Sequence, residues 1–385
     1  MVYFIKKIPV PLRPQYILDL LDIQGEDTAE TDFTSFEALF TKELMESCEF
    51  EVYSYMTSRL NEHKQFMDLV RDVLGEKNVC KFKFFTVILK ATRMSGEMNT
   101  SLGNGLTNVI TQKFLYFRKL ARQLGITTIE AYIQYFDSIK LVVEGDDGLI
   151  KTCLAKIDEK DAEALGLLLK LERHQELNSA SFCGLVFDTI DKLIVTNPLE
   201  VLVNFGWTSR QYLLARKSRL KTLLRAKALS MAYQYPGCPI VGSLANKMVE
   251  FTRDYDLSGF LESDRTMNMY ERDQLIEALN YVNSSGPTRF NGKSTLGYFV
   301  EKSLRMQPPI RTRLLVEQKY KVDISVQLKT ELYIEMMEGI NPMVMPWLEV
   351  FLPSPWQRYF WSYQLDLQAD PKGIRVPDLW PIIES

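Results

Sequence analysis

The chain has 385 residues, 46% of them apolar and 25% charged, with a net charge of −3. That profile excludes collagen-like, disordered and low-complexity chains, and it supplies enough apolar side chain for two or three subdomains with substantial cores. Five cysteines without any C-x-x-C spacing and only two histidines, His63 and His174, speak against a zinc site or a disulfide framework, so acid/base or metal chemistry must come from carboxylates and lysines.

The prolines of IPVPLRP favour extended backbone, and PQYILDLLDI reads as a short helix. AETDFTSF alternates like a strand and runs straight into EALFTKELMESCEFEVYSYMTSRL, whose apolar residues recur at helical spacing. A second helical pattern, NEHKQFMDLVRDVLG, precedes KFKFFTVILKATRM, rich in β-branched and aromatic residues and expected as strand. SGEMNTSLGNG is a glycine-bearing loop that opens a long helix through LTNVITQKFLYFRKLARQLG. LVVEGDDGLI, from Leu141 to Ile150, reads as a β-hairpin turned at its Gly and Asp residues. EKDAEALGLLLKLE is expected as helix and SASFCGLVFDTI as a strand pair; beyond Asn197 helices dominate, which puts a domain boundary near residue 195.

In the second half, RQYLLARKSRLKTLLRAK carries seven basic residues and no acidic one, with leucines at helical spacing. It is either a solvated basic face or a helix that tracks phosphates. NSSGPTRFNGKST ends like a phosphate-binding loop, but the glycine required five positions earlier is Pro287 and the preceding residues read as helix; a plain surface loop is expected. No apolar run reaches the roughly 18 residues of a membrane span. The N-terminus lacks the apolar core and cleavage site of a signal peptide, so a reducing intracellular compartment is expected.

LVVEGDDGLI crowds Glu144, Asp146 and Asp147 between apolar runs. Like charges held together raise each other's pKa unless something positive neutralises them, so the stretch is either a solvated hairpin tip or part of a cation site. Asp32 ends the earlier strand, with Glu37 five residues on. If the two strands are neighbours in an antiparallel sheet, Asp32 and Asp146 face each other, and such a carboxylate group calls for Mg²⁺ or Mn²⁺. Two such ions would hold the attacking and leaving oxygens of a phosphoryl transfer, chemistry that needs almost no histidine. Between the acidic elements, Ser95, Gly96, Thr100 and Asn104 follow the spacing S-G-x-x-x-T-x-x-x-N, with Thr100 and Asn104 on one helix face. Small polar groups there suit hydrogen bonds to a sugar, or they form an ordinary loop and helix cap.

TDFTSFE, SGEMNTSLGN and EGDDG, in that order and some 50 to 65 residues apart, resemble the motifs of RNA-dependent RNA polymerases of positive-strand RNA viruses, most closely the tombusvirus-like group. The resemblance implies an α+β right-handed polymerase fold. Residues 1–195 would form an antiparallel palm sheet with partial fingers, and 196–385 a mostly helical thumb. It implies Asp32, Asp146 and Asp147 as metal ligands, Glu37 as the acidic group sensing the incoming sugar, and Ser95, Gly96, Thr100 and Asn104 as the arrangement that recognises the ribose 2′-hydroxyl. Lys170 resembles the lysine that protonates pyrophosphate, and the SFCG run resembles the hairpin that grips the primer end, its Cys183 read as packing. NFGWTSRQYLLARKSRLKTLLRAKALS resembles a thumb segment, which makes Arg216, Lys217, Arg219, Lys221 and Arg225 the RNA-binding residues.

The partners implied are template and nascent RNA, ribonucleoside triphosphates and other replicase segments, and the implied location is the host cytoplasm, in membrane-associated replication complexes. Only 31 residues precede Asp32, with Lys6, Lys7 and Arg13 but no arginine-rich fingers segment, so a shortened product or one part of a larger replicase is expected. Glu144 is either a third carboxylate near the metal or, the expected role, turned toward a basic neighbour. A non-catalytic RNA-binding scaffold and a reverse transcriptase are the competing functions; the latter lacks the S-G-x-x-x-T-x-x-x-N arrangement.

Overall fold

A computed structural model describes residues 3–6, 8–23, 28–94, 97, 99–205, 212, 215–255, 257, 272, 276, 306–340, 345 and 347. The chain is α+β and divides into two compact units, one of Met1–Ile8 with Gln15–Gly184, the other of Pro9–Pro14 with Leu185–Ser385. The break falls ahead of the boundary expected near residue 195. The short strands β7 (Val186–Phe187) and β8 (Ile194–Val195) pair with each other, and Val186 and Val195 pack into the second unit's core.

The first unit is built on a four-stranded antiparallel sheet of order β4-β5-β1-β6, with β1 Thr28–Phe33, β4 Ile139–Glu144, β5 Asp147–Thr152 and β6 Leu169–His174. Alternation sorts β1: Ala29, Thr31 and Phe33 are buried while Glu30 and Asp32 are only half-buried. Phe33 stacks on Phe36, which meets Phe40 edge-on, so the chain leaving β1 stays anchored to the core. The long helix α5 (Thr100–Leu124) packs against β4 and buries Leu115, Tyr116, Phe117, Leu120 and Ala121; Gly125, at φ +69°, ends it in a left-handed cap.

Three sequence expectations are corrected here. The helical pattern after β1 breaks into a 3-10 turn (Phe36–Leu39), α2 (Lys42–Ser47) and α3 (Glu49–Thr57), because Phe40 is extended and Thr41 starts a new helix by accepting a bond from the Leu44 N–H. After α4 (His63–Gly75), the expected strand is a hairpin. Its first strand, β2 (Lys77–Lys81), pairs with β3 (Thr86–Lys90). The LLLKLE stretch, expected as helix, is strand β6: α7 is confined to Glu159–Glu163, Gly166 turns the chain at φ +75°, and the leucines then alternate. The α6 helix spans Thr128–Gln134.

Beneath the start of α5 lies an ion pair with no solvent exposure at either side chain, Glu49 with Arg93. Asn99 and Tyr53 donate to the same Glu49 carboxylate, Arg93 also pairs with Glu97, and its guanidinium sits 4.9 Å from the Phe40 ring. Gly103 has no room for a side chain, since a Cβ there would fall 2.5 Å from Glu49 Oε2 and 2.6 Å from Arg93 Nη2. Arg93→Ala strands a buried carboxylate and is expected to cost about 3–5 kcal/mol, read as a lowered midpoint in urea unfolding.

The second unit is mainly helical. It contains α8 (Pro198–Asn204), α9 (Lys217–Gln234), α10 (Val241–Phe251), α11 (Ile310–Tyr320) and α12 (Ile324–Met336). Its core gathers Val241, Leu244, Ala245 and Met248 of α10 with Leu315, Val316 and Ile334. A buried Arg313–Glu331 pair, 2.7 Å apart, is completed by the Ile240 N–H donating to Glu331 at 2.8 Å. No helix among the described residues is long and apolar enough to cross a membrane.

Candidate active site

The sheet register brings the acidic motifs together. Asp32 stands opposite Asp147 on β5, not opposite Asp146 as expected, because Asp146 lies in the turn; it also stands opposite Lys170 on β6, and directly paired residues of an antiparallel sheet project to the same side. The β4–β5 turn is two residues long, Gly145 and Asp146, with Gly145 at φ +63°, the conformation that a II′-type hairpin requires of its first turn residue. Asp146 is thus exposed at the tip, with Asp147 half-buried beside it.

The turn is held by α5. Asn108 Nδ2 lies 3.1, 3.0 and 3.1 Å from the carbonyl oxygens of Gly145, Asp146 and Asp147, so two N–H groups serve three acceptors. One turn earlier Asn104 donates to Glu37 Oε1 at 3.3 Å, and one turn later Gln112 donates to the Thr31 hydroxyl at 3.2 Å, which itself donates to the Gly148 carbonyl. Gly148 must lack a side chain, because a Cβ would sit 2.6 Å from Thr31 Oγ1. Positions 104, 108 and 112 thus form a buried amide ladder at four-residue spacing that ties both acidic strands to one helix.

Partial desolvation raises the Asp146 carboxyl above its ordinary range, and the charges of Asp32 and Glu37 raise it further against an opposing backbone hydrogen bond. Desolvation likewise raises Asp147, with Asp146, Asp32 and Glu30 adding to it and a hydrogen bond from Cys183 opposing. Among the described residues, Lys170 answers this cluster directly: its Nζ lies 3.6 Å from Asp32 Oδ2, both side chains being well exposed. Among the described residues no three His, Cys, Asp or Glu side chains form a ready-made metal group. The donor set nonetheless suits Mg²⁺ or Mn²⁺: it is all carboxylate oxygen, mutually repelling, and Mg²⁺ usually takes one or two carboxylates and fills its shell with water and phosphate.

Of the residues expected at the site, the structure brings together Asp32, Glu37, Asn104, Asp146, Asp147 and Lys170. Thr100 spends its hydroxyl proton on the Met94 and Glu97 carbonyls, at 3.2 and 2.9 Å, and so closes the loop before α5. Ser95 and Gly96 lie outside the described residues, as does the Asn283–Thr295 loop. Glu144 accepts from Ser101 Oγ at 3.2 Å, and that hydroxyl accepts from Lys6 Nζ at 2.9 Å, a relay that leads to a basic group. Cys183, read as packing, is exposed and bonded to Asp147, because it sits in a turn at φ +51° followed by Gly184 at φ +72°. Its neighbour Ser181 is fixed to β1, the backbone N–H donating to Glu30 at 2.7 Å.

The basic helix needs revision. On α9 the fully buried residues are Ala226, Ala228, Leu229, Met231, Ala232 and Tyr233, so burial divides the helix along its length rather than around its axis. Arg216, Lys217 and Lys221 are exposed and Arg219 half-buried, all in the first half or just before it. Arg225 is committed elsewhere: its guanidinium donates to the Thr252 carbonyl at 3.0 Å and thereby caps α10. Lys221 lies 5.4 Å over the Tyr255 ring. Arg210 and Gln211 fall outside the described residues.

Sequence reasoning missed Asn108, Gln112, Ser101 and Glu30. The amides had a signal, since Thr100, Asn104, Asn108 and Gln112 recur every four residues through a helix. No family model matches the chain, and no curated protein matches it significantly.

Proposed function

We propose that the chain is an RNA-dependent RNA polymerase of the positive-strand RNA virus type, with the first unit as palm and partial fingers and the helical second unit as thumb. The observation that carries the reading is the pairing of β1 with β5, which sets Asp32 opposite Asp147 beside a GDD turn clamped by Asn108. Asp32, Asn104 and the hairpin aspartates, distant in sequence, support the same reading, since Asn104 holds Glu37 beside them.

In this reading Asp32 and Asp146, with Asp147, hold Mg²⁺ or Mn²⁺. The ions supply charge neutralisation for phosphoryl transfer when bound. The 3′-hydroxyl of the growing RNA gives up its proton to solvent and attacks the α-phosphorus of a ribonucleoside triphosphate; the new P–O bond forms as the bond to the bridging oxygen breaks, and pyrophosphate leaves. Lys170 neutralises Asp32 in the ion-free protein, and in this reading it gives a proton to the departing pyrophosphate. Asn104 has a buried Oδ1 with no hydrogen-bond partner, an acceptor that a sugar hydroxyl would satisfy, and its amide group holds Glu37 in place.

Primer extension on an RNA template, with and without Mg²⁺, tests the proposal. Metal-dependent incorporation of ribonucleotides over deoxyribonucleotides is expected; RNA binding without extension would leave the scaffold reading instead. A second measurement addresses α9. Lys217→Ala with Lys221→Ala is expected to weaken RNA binding and to lower the salt dependence of log K by roughly two. Arg225→Ala, which removes a helix cap, is expected to act mainly on thermal stability.

A further inference from the structure

The hairpin β2–β3 forms its own two-stranded sheet, and both strands alternate exposed with half-buried residues. Its outer face carries Val79 paired with Ile88, flanked by Lys77 paired with Lys90, and Lys81. The tip is Phe82-Lys83-Phe84-Phe85, with Phe84 86% exposed and Val79, Phe82, Phe85 and Ile88 each more than half exposed. From Lys77 to Thr92 there are four lysines and no acidic residue, in a chain whose net charge is −3. None of the four lysines lies within 4.0 Å of a carboxylate among the described residues; the charges of Lys77 and Lys90 act on nearby Glu76 and that of Lys90 on Glu43, which leaves Lys81 and Lys83 at the tip as the least compensated pair.

We propose that this hairpin is an interfacial membrane anchor whose phenylalanine tip enters the headgroup and upper acyl region of a bilayer rich in anionic phospholipid. Burial of exposed apolar side chains and attraction of lysines to lipid phosphates are the two contributions that hold a peripheral element at such a surface. Each lysine can lay its methylene stem along the apolar face while its ammonium reaches the phosphates. The make-up of the face favours lipid over single-stranded RNA, because bases stack on ring faces alone and the mutual stacking of Phe82 and Phe85 at 4.7 Å leaves each of them one outer face. Val79 and Ile88 have no π face, and they add area that only an apolar phase rewards.

The test is vesicle flotation of the full chain with phosphatidylcholine vesicles, with and without roughly 30% phosphatidylserine, beside binding of a labelled single-stranded RNA. Flotation with the anionic vesicles is expected, and little with phosphatidylcholine alone. Phe84→Ser with Phe85→Ser is expected to lower partitioning by about tenfold or more, and Lys81→Gln with Lys83→Gln by roughly tenfold or more. These side chains are exposed, so unchanged circular dichroism is expected of both variants. Unaltered flotation of the Phe84→Ser, Phe85→Ser variant would overturn the anchor. So would a loss of RNA binding in that variant with vesicle binding intact, which would make the hairpin an RNA contact. The outcome is independent of nucleotide incorporation, so the anchor and the polymerase reading fail separately.

Discussion

Asp146→Ala is expected to lower Mg²⁺-dependent nucleotide incorporation by about three orders of magnitude or more while leaving the ion-free protein as stable as the parent, or more so. The two halves of this result have one cause. Partial desolvation and the nearby charges of Asp32 and Glu37 disfavour the ionised Asp146 carboxylate in the folded chain. An unfolded aspartate ionises near pH 4, and the folded one resists until its higher pKa is passed. The ion-free fold therefore loses stability as pH rises through that interval, and the loss persists above it. Removing the carboxylate removes this penalty, so the urea midpoint of Asp146→Ala should fall less than the parent's between acid and neutral pH. Mg²⁺ should raise the parent's melting temperature more than the variant's. Full activity in the variant would sink the assignment of Asp146 as a metal ligand.

The reach of the sequence differs between the sheet and the helix that supports it. Alternation in TDF and the glycine in EGDDG are local signals, and β1 and the β4–β5 hairpin form where those signals fall. Adjacency of β1 and β5 follows from no local pattern, and only the assumption of a shared sheet put Asp32 and the hairpin together. Strand β6 was hidden because EKDAEALGLLLKLE contains good helix formers, and Gly166 with tertiary pairing to β1 overrides them. The basic run announced a helix but not that Arg225 would cap α10, since the carbonyls it serves lie some 25 residues away.

The buried amides of α5 were the least legible part of the site. Asn is a weak helix former, and both Asn and Gln ordinarily face solvent, so their recurrence looks like a polar face of an exposed helix. Burial inverts the meaning. A polar side chain held out of water must find partners, and the partners here are the backbone of the acidic turn, Glu37 and Thr31. The same helix therefore supplies packing through its second half and positioning through its first.

Asn108→Ala tests that division, and it should separate positioning from metal ligation. The variant strips the amide donor from the Gly145, Asp146 and Asp147 carbonyls and leaves every carboxylate in the chain. Because Asn108 is fully buried, water does not readily replace the donor, and a stability loss of about 1–3 kcal/mol is expected. Incorporation should fall by roughly a hundredfold, since a displacement of reacting groups by about 1 Å costs that much. The loss should appear in kcat and in a higher Mg²⁺ concentration for half-maximal activity, with RNA affinity unchanged. Asn108→Asp is a sharper variant, because it keeps the shape, removes the donor and adds a charge beside three carbonyls; it should be the less active of the two. A variant that loses stability but keeps the parent's kcat and Mg²⁺ dependence would show that Asn108 supports the fold alone and leaves the turn's position to its strands.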